Sequence, residues 1–118
     1  MDLKLYGIPN CDTVKKARKW LDAKGLAYAF HDYKKEGADR AKLEQWADEK
    51  GWEVLLNRRG TTFRKLDDTV KDGIDAQKAV VIMLEHNSTI KRPVVEHPGG
   101  LLVGFDEAEW EAAFAQAR

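Results

Sequence analysis

The chain has 118 residues, with twenty lysines and arginines against twenty aspartates and glutamates, 43% hydrophobic and 34% charged residues. That length suits one domain with a modest core, and the composition argues against disorder. Zero net charge removes the case for bulk nucleic-acid or membrane binding, and the longest apolar run, "AVVIML", is too short to span a bilayer.

"MDLKLYG" lacks the basic start and apolar stretch of a signal peptide, so a cytoplasmic protein is expected, a single domain over 1–118. "DLKLYG" alternates Leu3 and Leu5 with Lys4 and Tyr6, which predicts a short strand ended by Pro9 and Asn10. From about Asp12 to Lys24, Val14, Ala17 and Leu21 fall on one helical stripe, and Gly25 stops it. "LAYAFHDY" predicts a strand with Leu26, Tyr28 and Phe30 on one face. Strand, helix and strand with short links imply a parallel pair and a right-handed crossover.

A second helix is expected over about Asp39 to Lys50, with Leu43, Trp46 and Ala47 inward and Gly51 at its end. "LLNRRGTTFRKL" has no clear period and reads as a loop, with a short helical piece near Asp67 to Lys71. Asp75 can cap a helix reaching about His86, burying Ala79, Val80, Met83 and Leu84. "RPVVEHPGGLLVGF" reads as an antiparallel hairpin around "HPGG". Asp106 and Glu109 form a capping box for a closing helix striped by Trp110, Ala113, Phe114 and Ala117. The tryptophans Trp20, Trp46, Trp52 and Trp110 read as packed in the core, or partly so. Together these elements give an α/β fold, a thioredoxin-like mixed four-stranded sheet with helices on both faces and a helical insertion at roughly 36–88.

Cys11 is the sole cysteine, so no internal disulfide is possible. One reading makes it a small buried hydrophobe. Its place, after a strand and at a helix N-terminus, supports another: unpaired N–H groups and the helix dipole favour a thiolate, the nucleophilic form. Lys15 and Lys16 lie one turn on, and Lys16 reads as solvated helix face. A dithiol motif is excluded because Val14 stands where a second cysteine would. A phosphatase loop needs five residues between cysteine and arginine. Here six separate Cys11 from Arg18, which turns the guanidinium by about 100°. His31, His86 and His97 are scattered and give no metal-ligand spacing, so no metal is expected. A monothiol nucleophile remains, whose covalent adduct a second thiol from solution must resolve, glutathione being the abundant candidate.

"LYGIPNCDTVKKARKWL", "FHDYKKEG", "GWEVLLNRRGTTFRKLD" and "IKRPVVE…LLVGF" together resemble the ArsC-like superfamily, in its Spx/YffB branch, over nearly the whole chain. The resemblance implies a thioredoxin-like fold with a helical insertion, Cys11 as nucleophile and Lys15 as the neighbouring basic residue. It places a second basic position on the "NRRGTT" loop, at Arg59 with Arg58 and Arg64 nearby, and implies a cis Arg92–Pro93 bond facing the cysteine. Glutaredoxin-coupled arsenate reductases of the superfamily carry a further arginine after the hairpin, where this chain offers only Gly104. Spx regulators bind RNA polymerase, and many use a Cys-x-x-Cys switch; Val14 removes that switch here but leaves a protein-binding surface open.

"NRRGTTFRK" and "IKR" concentrate positive charge and read either as solvated loops or as a docking site for a carboxylate or phosphate. In the second reading Gly60 allows a tight turn, Arg59 or Arg92 grips a carboxylate, and Thr61 and Thr62 add hydroxyls. The candidate site is thus Cys11 and Lys15 for catalysis, with Asn10, Arg59, Gly60, Thr61, Arg64, Arg92 and Pro93 for substrate. The expected activity is a glutathione-dependent thiol-disulfide reductase. Its alternatives are an arsenate reductase coupled to glutaredoxin, or an Spx-like regulator bound to RNA polymerase without catalysis. No tightly bound cofactor is expected. Glutathione or a glutaredoxin-like thiol is the expected partner of a monomer that touches neither membrane nor nucleic acid.

Overall fold

In the computed structural model, which describes residues 3–115, the chain forms two compact units, one of residues 3–33 and 92–115, the other of residues 34–91. The first unit holds the whole sheet. Strand β1 (Lys4–Gly7) leads to helix α1 (Asp12–Ala23) and strand β2 (Ala29–Asp32). The hairpin β3 (Val94–His97) and β4 (Gly100–Val103) leads to a closing helix, Glu107–Phe114. The strand order is β2-β1-β3-β4. β1 and β2 pair parallel with Leu5 opposite Phe30. β1 and β3 pair antiparallel with Tyr6 opposite Val94, and β3 pairs β4 antiparallel with Val95 opposite Leu102. This is the expected mixed, thioredoxin-like sheet.

Alternation along the strands decides what this unit buries. Leu3, Leu5, Val95 and Leu102 form one core with Val14, Ala17 and Leu21 of α1 and Trp110 and Phe114 of the closing helix. Trp110 stands edge-on to Phe105 at 4.8 Å and to Trp20 at 5.6 Å between ring centroids, a geometry that aromatic quadrupoles favour. Its indole N–H donates to the carbonyl of Gly104 at 3.2 Å, which satisfies its one polar group in the interior. Asp106 caps the closing helix by accepting from the Glu109 amide at 3.1 Å. Ala117, expected on the same stripe, lies outside the described residues. β2 starts at Ala29, later than expected, although Leu26 is buried and Tyr28 and Phe30 pack on the same core.

The second unit is helical. It contains α3 (Arg40–Lys50), α4 (Trp52–Leu55), α5 (Thr61–Arg64), α6 (Asp68–Lys71) and α7 (Ala76–Glu85), and the single turn α2 (Tyr33–Glu36) leads into it. Leu43, Trp46 and Ala47 are buried as the stripe predicts. Asp67 caps α6 and Asp75 caps α7, each accepting a backbone amide. Two expectations need correction. The stretch expected to be a loop contains α5, a single turn too short to show a period, with Phe63 alone buried. In α7 Ile82 is buried, whereas Leu84 is only partly so. An isolated bridge between Leu56 and Ile90 ties the segment after α4 to the C-terminal end of this unit.

A Cβ on Gly7 would stand 2.8 Å from Val14 Cγ2, so the end of β1 lies hard against the first turn of α1. Gly7→Ala is expected to cost about 1–3 kcal/mol by overpacking. Urea unfolding measures it, and an unchanged midpoint would show that the contact is not tight.

Candidate active site

Cys11 stands where β1 has ended and α1 has not begun. Its φ of −103° and ψ of 127° are extended, which makes it the N-cap residue of α1. Its amide donates to the Ile8 carbonyl at 3.2 Å and its carbonyl accepts from the Lys15 amide at 2.9 Å. The side chain is half-buried and the thiol is free.

Opposed influences set the acidity of this thiol. Burial pushes its pKa up. Against that, the Val14 amide, a hydrogen bond from the Arg92 side chain, the Arg92 charge and the Thr13 amide all favour the thiolate. The net shift is downward from the usual thiol value. The neutral thiol makes no capping hydrogen bond, so the two amides act on the charged form.

Strand pairing brings Arg92 here. Tyr6 pairs with Val94 across antiparallel strands, so Arg92, just before β3, lies beyond the end of β1 where Cys11 also lies. The Arg92–Pro93 peptide is cis, as the resemblance implied. Pro93 is buried, and its carbonyl accepts the Gly104 amide at 2.7 Å. Lys15 is placed differently from expectation. Its ammonium reaches the Asn10 side-chain oxygen at 3.5 Å, and the cation that acts on the sulfur is Arg92. Asn10 itself is exposed.

Beside Arg92, the sheet face opposite Leu5 carries polar aromatic residues that sequence reasoning passed over. Tyr6 donates to a Glu96 carboxylate oxygen at 2.7 Å and stacks near His31 and Tyr33, with centroids 5.0 and 6.3 Å away. Burial pushes the Tyr33 phenol well above its ordinary value; Tyr6 and Glu96 add to this and the Arg92 charge opposes it. The available signal was the alternation of β1, which puts Tyr6 on the face opposite Leu5.

The remaining expected residues belong to the helical unit. Arg59 and its neighbour Arg58 are exposed. Gly60 has φ −74° and ψ 160°, which any residue adopts, so a tight turn is not the reason for glycine. A Cβ there would stand 3.1 Å from the Asn57 side-chain nitrogen, so close approach is the constraint. Thr61 opens α5, and the carbonyl of exposed Arg64 accepts from Lys71 Nζ at 3.0 Å.

Glycine at position 104, where the resemblance places an arginine in the arsenate reductases, has a physical account. Gly104 has φ 82°, a left-handed conformation that side chains disfavour, and its N–H and C=O are both engaged.

Comparison with known proteins agrees with this architecture. A model of the ArsC family matches residues 6–113. An uncharacterised protein of Haemophilus influenzae is 45% identical over 96% of this chain and 99% of its own. A global transcriptional regulator Spx of Streptococcus mutans is 26% identical over 92% of this chain and 80% of its own. Among solved structures, a YFFB protein is 54% identical with a TM-score of 0.92, covering 94% of this chain and 97% of its own. An arsenate reductase (ArsC) related protein from Brucella melitensis is 53% identical with a TM-score of 0.76, covering 97% of this chain and 95% of its own. Among the described residues no helix is long and apolar enough to cross a membrane. Family model, relatives and sheet order agree: the chain belongs to the ArsC family, with YFFB and Spx proteins among its relatives.

Proposed function

We propose that the protein is a glutathione-dependent thiol-disulfide reductase with Cys11 as its single nucleophile. The observation that carries this reading is an N-cap thiol made more acidic by helix amides and by Arg92. The Cys11 thiolate attacks the glutathione sulfur of a mixed disulfide. A bond forms between Cys11 and glutathione, the old S–S bond breaks, and the leaving thiolate takes a proton from water. A second glutathione thiolate then attacks the adduct, releases glutathione disulfide and restores Cys11. The net reaction joins the glutathione of the mixed disulfide to the incoming glutathione: one glutathione thiol is oxidised to the disulfide level and one substrate sulfur is reduced to a thiol. Arg92 stabilises the resting thiolate, and cis Pro93 and Asn10 border the approach of the disulfide. Lys15, held over Asn10, adds long-range positive charge at the same helix end.

Cys11→Ser is expected to abolish turnover of a glutathionylated peptide and to prevent the glutathione adduct seen by mass spectrometry after treatment with glutathione disulfide. Residual turnover by the serine variant at the native rate would end this reading.

The sign of the pKa shift sets a pH dependence. Alkylation of Cys11 depends on the thiolate, so reactivity persists below the roughly 8.5 of an ordinary thiol and fades as pH falls through the lowered value. Arg92→Met is expected to raise the midpoint of the alkylation–pH curve, and Lys15→Ala to move it less. If Arg92→Met leaves the midpoint in place, Arg92 does not stabilise the thiolate.

The likeness to an arsenate reductase related protein supports a second substrate class, which Gly104 argues against. An oxyanion loses one charge-assisted contact there, worth about 1.5–3 kcal/mol, or roughly tenfold or more in binding. With glutathione and glutaredoxin supplied, arsenate is expected to turn over far more slowly than a mixed disulfide, and comparable kcat/KM values would reverse the assignment. The likeness to a global transcriptional regulator supports a second, non-catalytic regulatory reading, for which RNA polymerase is the partner to test. Recovery of polymerase by the Cys11→Ser protein, with full biological activity, would favour it.

A further inference from the structure

We propose that Tyr33 is a positioning residue for the Cys11 site, and that its buried phenol holds the Arg92 guanidinium where it can donate to the sulfur. The inference deepens the reading of Cys11 as a nucleophile and rests on it. Strand register brings the two side chains to one end of the sheet. Tyr6 of β1 is opposite His31 of β2 on one side and Val94 of β3 on the other. Tyr33 comes two residues after His31, and Arg92 two residues before Val94. Both therefore stand just past the paired stretch of their strands, at the end where β1 runs on toward Cys11. Neighbouring strands lie about 4.8 Å apart, so backbones on either side of β1 are about 10 Å apart, a gap that a tyrosine and an arginine close with their side chains.

The Tyr33 ring has little freedom. It is 2% exposed. Its centroid lies 6.3 Å from that of Tyr6, in a stacked pair, and 5.7 Å from that of His31, edge-on. Tyr6 is fixed in turn, since its hydroxyl donates to Glu96 at 2.7 Å and the Lys4 ammonium lies 5.2 Å from its ring centroid.

The environment of this phenol decides what it can do. Burial, with Tyr6 and Glu96, keeps it protonated through the range where a thiol titrates, so it neither supplies nor takes the proton of Cys11. A neutral phenol oxygen still accepts hydrogen bonds, and the Arg92 charge acts on it. A guanidinium carries five N–H donors in a rigid plane. One bond to a phenol fixed in the sheet sets that plane and leaves other donors of half-buried Arg92 for the sulfur. Without it the long side chain spends part of its time turned to water.

The test follows alkylation of Cys11 by iodoacetamide against pH in the full chain. Around the pair stand Lys4 and Tyr6 of β1, His31 of β2, Glu96 of β3 and Lys15 of α1, and Tyr33→Phe alters none of them. That substitution is expected to raise the midpoint by about half a pH unit, and so to slow alkylation roughly threefold below it, as loss of one hydrogen bond implies. In an Arg92→Met background it is expected to change nothing. A native midpoint in Tyr33→Phe, or an equal rise in both backgrounds, would overturn the proposal. In the unaltered protein, nuclear Overhauser contacts between the Arg92 side chain and the Tyr33 ring are expected, and their absence would overturn it even if the variant failed to fold. Alkylation needs no disulfide substrate. The expected shifts in a protein without reductase turnover would therefore keep the positioning role and end only the reductase reading.

Discussion

The sulfur of Cys11 is held between burial, which favours the neutral thiol, and the Val14 and Thr13 amides with Arg92, which favour the anion. The net shift is toward the anion because two independent sources of positive potential meet at one atom. The helix contributes through its unpaired amides, whose direction is set once Cys11 becomes the N-cap. The guanidinium comes from the other end of the sequence and is delivered by strand pairing. Loss of either source would move the balance toward the neutral thiol.

The rest of the first unit keeps these two sources in place. Gly7 allows β1 to end tight against Val14, which fixes where α1 begins. On the other side a chain of hydrogen bonds runs from core to site. The Trp110 indole donates to the Gly104 carbonyl, and the Gly104 amide donates to the carbonyl of Pro93, the residue after Arg92. Trp110 is wholly buried among Trp20, Phe105 and Phe114. The backbone that presents Arg92 is thus tied to the aromatic core of the domain.

Local features of the site were legible in the sequence. The helix start, the lone thiol at it, the "HPGG" hairpin and the capping aspartates follow from neighbours a few residues apart, and the structure has each of them. The cation acting on Cys11 was not legible in this way. Lys15 is near in sequence and drew attention, but helix geometry turns its ammonium toward Asn10. Arg92 is far in sequence and becomes a neighbour only through the β1–β3 register. The resemblance had singled out the Arg92–Pro93 pair, but no periodicity reports which cation meets the sulfur. The single-turn helices α4 and α5 escaped for a different reason, since four residues carry less than two turns' worth of pattern.

Gly104 bears on the kind of electrophile that suits this site. Its left-handed backbone belongs to the turn that supports Pro93, so an arginine there would strain the segment that presents Arg92. The site can keep its support or gain a cation at that position, but the geometry resists both. An oxyanion needs several positive groups to replace its hydration. A disulfide is neutral and needs only a thiolate with an open approach. On the proposed reading, one strong cation beside the sulfur is enough, because its work is finished when Cys11 loses its proton. On that reading, glycine at position 104 is compatible with Cys11 as nucleophile, with the cis Arg92–Pro93 bond and with the helix end that favours the thiolate.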